Sequence, residues 1–217
     1  MNLGTESKIY PTKNQYDFFD DLVFQKTGDQ NLKIRLISEN KFSEVSKARQ
    51  ELYANREKYF LKTLFENNRM LDSIDRRSFI FAAFYNNQII GLHRHTPAPF
   101  EVYKYIEKNR LDSFLGSKNK DSFIEMSRLV IDRKSPIKYL QYHLTCIGTE
   151  IIRINTNFKN FITFVKPRLM KYAFPDLGGD DFLNFRIPER KNNEYVLIKG
   201  NIKERNSIYF KDNFIDE

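Results

Sequence analysis

The stretch Phe123-Ile124-Glu125-Met126-Ser127-Arg128-Leu129-Val130-Ile131 reads as a β-strand whose apolar run is interrupted by charge. Glu125 and Arg128 stand three apart, so on a regular strand they face opposite sides of a sheet. One inserted residue, a β-bulge, brings both to one side. The alternative is an edge strand carrying one solvated charge.

Upstream, Leu32-Lys33-Ile34-Arg35-Leu36-Ile37 alternates like a half-buried strand. Residues 42–64 have no Gly or Pro and are rich in Glu, Lys, Arg and Ala, which predicts a helix. Segments 78–85 and 88–94 predict an antiparallel pair, because Asn86-Asn87 between them tolerates the positive φ of a tight hairpin turn. Residues 100–115 read as helical and 116–122 as a loop. Downstream, Pro136 is placed to start a helix that continues over 139–153, and 158–165 forms a strand ended by Pro167. A short helix over 168–172 and strands near 182–186 and 195–202 complete the chain. Residues 1–31, polar and aperiodic apart from Tyr16-Asp17-Phe18-Phe19, read as an N-terminal extension or cap, and 32–217 as a single domain. The pattern predicts an α/β chain in which a mixed sheet carries helices on both faces.

With 217 residues, 41% hydrophobic and 29% charged, the chain is long enough for its own core and too apolar for disorder. A single cysteine, Cys146, excludes an internal disulfide and no Cys/His cluster has metal-ligand spacing. No metal is therefore expected, and a reducing cytoplasm is the expected compartment. The N-terminus lacks a basic-then-apolar leader, and the run from Phe79 to Tyr85 is too short to span a membrane. The formal charge of +8 favours an anionic partner. Its basic residues are dispersed, without an Arg-rich arm or stacking motif, so nucleic acid is not expected. An acidic carrier protein or a phosphate-bearing donor accounts for the charge.

Four short patterns occur in order: Arg49-x-x-x-Tyr53, Asp72-x-x-Asp75, Gly91-Leu92-His93-Arg94-His95-Thr96-Pro97 and Glu125-Met126-Ser127-Arg128. Together they resemble the acyl-homoserine-lactone synthases and the long-chain N-acyl amino acid synthases of the GNAT superfamily. The resemblance covers roughly residues 32–200 by the order of elements. It implies a mostly antiparallel twisted sheet splayed at its central strand. Two departures point toward the amino acid synthases. The lactone synthases usually carry a Trp where Tyr59 stands, and the chain has no Trp; the thirty or so residues before the first strand also fit the amino acid synthases better. Many acyl-CoA users carry a Gly-rich turn after the central strand, whereas Asp132-Arg133-Lys134-Ser135-Pro136-Ile137-Lys138 has none. An acyl carrier protein thioester is thus the expected donor.

The implied reaction is transfer of a long-chain acyl group to the amine of an amino acid, an amino-acid-like molecule or a peptide. It needs a neutral amine, a stabilised oxyanion and a leaving thiolate, and no cofactor beyond the acyl-phosphopantetheine donor. On the resemblance, Glu125, Arg128 and Arg94 are the candidate catalytic residues. Glu125 would accept the ammonium proton or pair with Arg128, and Arg94 would pair with Glu125 or clamp an acceptor carboxylate. Arg49, Tyr53, Asp72 and Asp75 resemble a lid over the acceptor, against the plain alternatives of helix-surface charge and loop capping. Bulge backbone at Leu129 and Val130 would hold the pantetheine arm, with Arg133, Lys134 and Lys138, joined by Lys166, Arg168 and Lys171, docking its phosphate and carrier. His93, His95 and His143 fit no Ser or Cys triad pattern, and Cys146 on an apolar helix reads as core. Phe158, Phe161, Phe164 and the Phe79–Phe84 group either line an acyl tunnel or pack the core. Lactone synthesis from S-adenosylmethionine and a binding module without turnover are the competing functions.

Overall fold

The computed structural model of the chain describes residues 10–54, 71–116, 120–173, 182–190 and 192–211. Seven strands, β1 (Leu32–Leu36), β2 (Phe79–Tyr85), β3 (Gln88–Pro97), β4 (Phe123–Ile131), β5 (Asn160–Val165), β6 (Phe182–Ile187) and β7 (Asn193–Asn201), form one sheet in the order β1-β2-β3-β4-β5-β7-β6. All neighbours are antiparallel except β4 and β5. The β2–β3 hairpin turns at Asn86 and Asn87, with φ of 49° and 64°, which is the left-handed pair a two-residue hairpin of this twist requires.

Helices cover both faces because successive strand residues point to opposite sides. On one face α1 (Lys13–Thr27), α4 (Leu140–Asn155) and α6 (Ile202–Asn206) bury Phe79, Phe81, Ile124, Met126 and Phe161. On the other face α2 (Phe42–Ala54) covers Ile80, Ala82, Leu92 and Val130. Beside it the 3₁₀ turn Glu101–Lys104 and α3 (Lys108–Leu115) cover Phe123, Ile162 and Leu197. That face therefore holds two separate apolar clusters, and the seam between them runs along β4. A short α5 (Pro167–Ala173) follows β5. Helix α4 crosses close over the sheet at Gly148, where an added Cβ would come 3.2 Å from both His95 and Phe81.

Two expectations are corrected. The segment 1–31, read as aperiodic, contains α1, opened by a reciprocal Thr12–Gln15 capping box and closed by Gly28 at φ 72°. Its narrow stripe of Phe19, Leu22 and Val23 enters the main core, while half-buried Tyr16 and Phe18 and exposed Phe24 blur the period. Pro136 does not start a helix either: α4 begins at Leu140, after Tyr139 in the left-handed region. The helix expected over 42–64 is seen to Ala54, and its remainder, with Tyr59, lies outside the described residues. No helix among the described residues is long and apolar enough to cross a membrane.

Candidate active site

Strands β4 and β5 pair only over Phe123–Met126 and Asn160–Thr163. Beyond that point β4 continues against β3 and β5 continues against β7, so the two strands part. The hydroxyl of Thr163 donates to the Met126 carbonyl at 2.9 Å where the pairing ends. Immediately past the fork, Ser127 lies opposite Arg94 and Val130 opposite Leu92, leaving Arg128 and Leu129 against the single residue His93. This is a β-bulge, with Arg128 at φ 55°. The extra residue turns Arg128 to the side of the sheet that Glu125 and Ser127 occupy, as the spacing of the two charges predicts.

On that side, in the seam between the two apolar clusters, three guanidinium groups meet four carboxylates. Arg49 comes from the buried stripe of α2 and grips Asp75 through two hydrogen bonds of 2.7 and 2.9 Å. Arg94 donates to both oxygens of Asp72 at 2.9 and 3.0 Å, to Asp75 at 3.2 Å and to Ser127 Oγ at 3.2 Å. Its remaining Nη2 reaches Glu101. Arg128 binds the other oxygen of Glu101 and also Asp72. Asp72 and Asp75 close their own turn, each accepting the other's backbone N–H at 3.0 and 2.8 Å. Glu125 accepts the backbone N–H groups of Glu101 and Val102, one on each oxygen, and so caps the 3₁₀ turn.

Every member is withdrawn from water: Arg49, Arg94 and Glu125 are 0% exposed, Asp75 and Glu101 1%. Ionised groups persist at such depth only when paired. Burial alone would raise the Asp75 pKa, but Arg49 and Arg94 overcome it and hold the carboxyl at about 2. Glu125 moves the other way. Burial and the neighbouring charge of Glu101 raise its pKa above the usual carboxylate range, against the pull of Arg94 and the two backbone N–H groups. Arg94 would be lowered by burial, yet Glu101, Asp72 and Asp75 raise it.

The sequence-derived residues are thus brought together with different partners from those expected. Arg94 pairs with Asp72, Asp75 and Glu101, and no hydrogen bond joins it to Glu125. Arg49, Tyr53 and Asp75 are buried and Asp72 half-buried within the cluster or its α2 wall, so helix-surface charge does not describe them. Glu101 carried no sequence signal: it lies in a stretch read only as helical, and its partners are 7 and 27 residues away. Leu129 is exposed and Val130 buried. Arg133, Lys134 and Lys138 are exposed between β4 and α4, at the end of the sheet where β4 and β5 part, and Arg168 is exposed on α5 near the same end. The side chain of Lys171 lies outside the described residues.

The remaining candidates go to the core. Burial pushes the Cys146 thiol up to about 11 and the His93 imidazole down to about 3, and His143 bonds Tyr209. The Phe residues divide among clusters: Phe79, Phe81, Phe158 and Phe161 in one, Phe84 beside α2, Phe164 beside α3. They pack separate regions and do not form one continuous lining. Among the described residues no group of three or more His, Cys, Asp or Glu is placed to hold a metal ion.

No family model matches the chain, and no curated protein matches it. Solved structures do resemble it. A CoA-dependent acyl-homoserine lactone synthase, BjaI, determined with SAM and isopentyl-CoA, superposes with a TM-score of 0.58 at 13% identity over 82% of this chain and 84% of its own. The AHL synthase LasI gives 0.57 at 13% identity, covering 86% and 98%. FeeM, an N-acyl amino acid synthase from uncultured soil microbes, gives 0.50 at 10% identity, covering 81% and 93%. The chain has the GNAT fold. The end of the β4–β5 pairing, the bulge at Arg128 and helix α4 follow one another along the chain. Here the buried ionic cluster lies against that stretch on one face.

Proposed function

We propose that the chain is an N-acyltransferase that moves a long-chain acyl group from an acyl carrier protein thioester to the amine of an amino-acid-like acceptor. The observation that carries this reading is the coincidence, at Arg128, of the strand bulge, the fork and the ionic cluster. Beyond Met126, β4 no longer pairs with β5, and the backbone N–H groups of the bulge at Leu129 and Val130 are suited to take the thioester oxygen as charge develops on it. The amine, having lost a proton, attacks the thioester carbon; the C–N bond forms, the C–S bond breaks, the second proton passes from nitrogen to the departing sulfur, and the thiol leaves with the carrier. Glu125, with its raised affinity for a proton, is the group suited to receive the ammonium proton once the Glu101–Lys104 turn shifts to admit substrate. Arg94 has its donors committed to the cluster, so it orders the pocket wall and does not clamp an acceptor carboxylate.

Two features support a carrier donor. The turn 132–138 has no glycine with which to wrap a pyrophosphate, and its exposed Arg133, Lys134 and Lys138 suit an acidic protein. Lactone synthesis is the second reading, favoured by the higher TM-scores to BjaI and LasI than to FeeM. Mass spectrometry of lipid extracts from cells expressing the protein separates the two. Linear acyl amino acids are expected, acyl-homoserine lactones would favour the second reading, and no new acyl amide would defeat both.

A further inference from the structure

Glu101 belongs to none of the four sequence patterns, yet it touches Arg94, Arg128 and the glutamate of β4 together. Its carboxylate bridges Arg94 on β3 and Arg128 on the bulge, and its backbone N–H donates to Glu125. We propose that Glu101 is a positioning residue that locks the β4 bulge in its donor-facing conformation by anchoring Arg128. The proposal rests on the acyl-transfer reading for its purpose, but its physical content stands apart from it.

Arg128 holds φ at 55°, a region that a side-chain-bearing residue enters only at an energetic cost. Such a conformation persists only where the surroundings determine it. At Arg128 they include charge-assisted hydrogen bonds from Nη2 to Glu101 and Asp72, made in a site where the side chain is 6% exposed. Asp72 is divided between its own turn, Arg94 and Arg128, whereas Glu101 gives one oxygen to each arginine. The Glu101 backbone is fixed in turn by Glu125, which grips the first two N–H groups of the 3₁₀ turn from the floor of the same strand. Strand β4 thus holds the turn through Glu125, and the turn holds the bulge of β4 through Glu101. The loop closes within a few residues of the fork, where the thioester would lie.

Glu101→Gln tests this with little change of shape, since it keeps the backbone N–H and one acceptor oxygen. Hydrogen exchange followed by mass spectrometry should show the Leu129 and Val130 amides exchanging at least about 10-fold faster, with β1 and β2 unchanged. Turnover with an acyl carrier thioester should fall about 10- to 100-fold in kcat with the acceptor KM nearly constant. Arg128→Gly supplies the second arm, because glycine adopts positive φ without an anchor. In the Arg128→Gly background, Glu101→Gln should add no further acceleration of exchange. Unchanged exchange at Leu129 and Val130, or additive effects in the pair, would overturn the proposal. If Glu101→Gln alone does not fold, the double variant should fold, and its failure to do so would also overturn the proposal. Changed exchange without acyl transfer in the parent protein would defeat the functional reading and leave the positioning role intact.

Discussion

Arg49 and Asp75 lie side by side, guanidinium against carboxylate, through two parallel hydrogen bonds that join helix α2 to the turn before β2 at almost no exposure to solvent. Removing one member takes from the other its bidentate partner inside a buried site, and the remaining contacts of the cluster replace only part of it. Arg49→Ala or Asp75→Asn should therefore cost about 3–5 kcal/mol. Urea unfolding with unchanged slope is the measurement, and a loss under about 1 kcal/mol would show that water reaches the pair.

Glu125→Gln should lower turnover by about 10² to 10⁴ if its carboxylate accepts the ammonium proton. It also places an amide against two backbone N–H groups, so the same variant should lose stability. The pH profile separates these effects: loss of proton acceptance flattens the alkaline rise of kcat, whereas loosening of the turn scales the whole profile down.

Acid should destabilise the fold through His93 and His95. Both are buried neutral rings, set edge to face with centroids 4.3 Å apart between sheet and helix α4; burial first depresses both pKa values, with Arg205 adding for His93, and His93 and then Arg205 adding for His95. A depressed value means that the unfolded chain binds the proton more tightly. Stability is full above the ordinary histidine pKa of 6.5 and declines as pH falls toward about 3. By pH 5 the loss through His93 is about 2 kcal/mol, and His95 acts in the same direction. Glu125 acts in the opposite sense, its contribution being lost as pH rises through its raised value. Thermal unfolding from pH 7 to pH 5 should reveal a falling Tm, and the paired change His93→Leu with His95→Leu should flatten that slope.

Reversing Arg133, Lys134 and Lys138 to Glu should slow reaction with an acyl carrier and remove its salt dependence. An acyl-pantetheine thioester without phosphate should react almost as before. A higher kcat/KM with acyl-CoA than with the carrier thioester would end the carrier assignment and spare acyl transfer.

What was legible in the sequence was local. The Glu125–Arg128 spacing foretold a bulge because strand period is a property of adjacent residues, and Asn86-Asn87 foretold a hairpin for the same reason. The ionic cluster was legible only as a list. Which carboxylate meets which arginine depends on α2, the Asp72 turn and the Glu101 turn converging on β4, and no spacing encodes that. Arg94 shows the consequence. Read alone, it is a free clamp for a substrate carboxylate; in place, Asp72, Asp75, Glu101 and Ser127 occupy it, so Arg94→Ala should damage folding before it alters acceptor KM. Helix α1 leaves a weak period in the sequence because only Phe19, Leu22 and Val23 of its fifteen residues are buried.

The sheet is mechanically two ribbons, β1 to β4 and β5 to β6, joined by four parallel residue pairs between Phe123–Met126 and Asn160–Thr163. Force applied across it concentrates on that short weld, as stress does at the root of a crack. A molecule wedged into the fork pries against the few bonds nearest Thr163 and meets little resistance from the rest of the sheet. The compliance of the protein should accordingly vary with direction: stiff along the strands, soft to separation of β4 from β5. Pulling the ribbons apart with a single-molecule tether on each should open the fork at lower load than stretching either ribbon lengthwise.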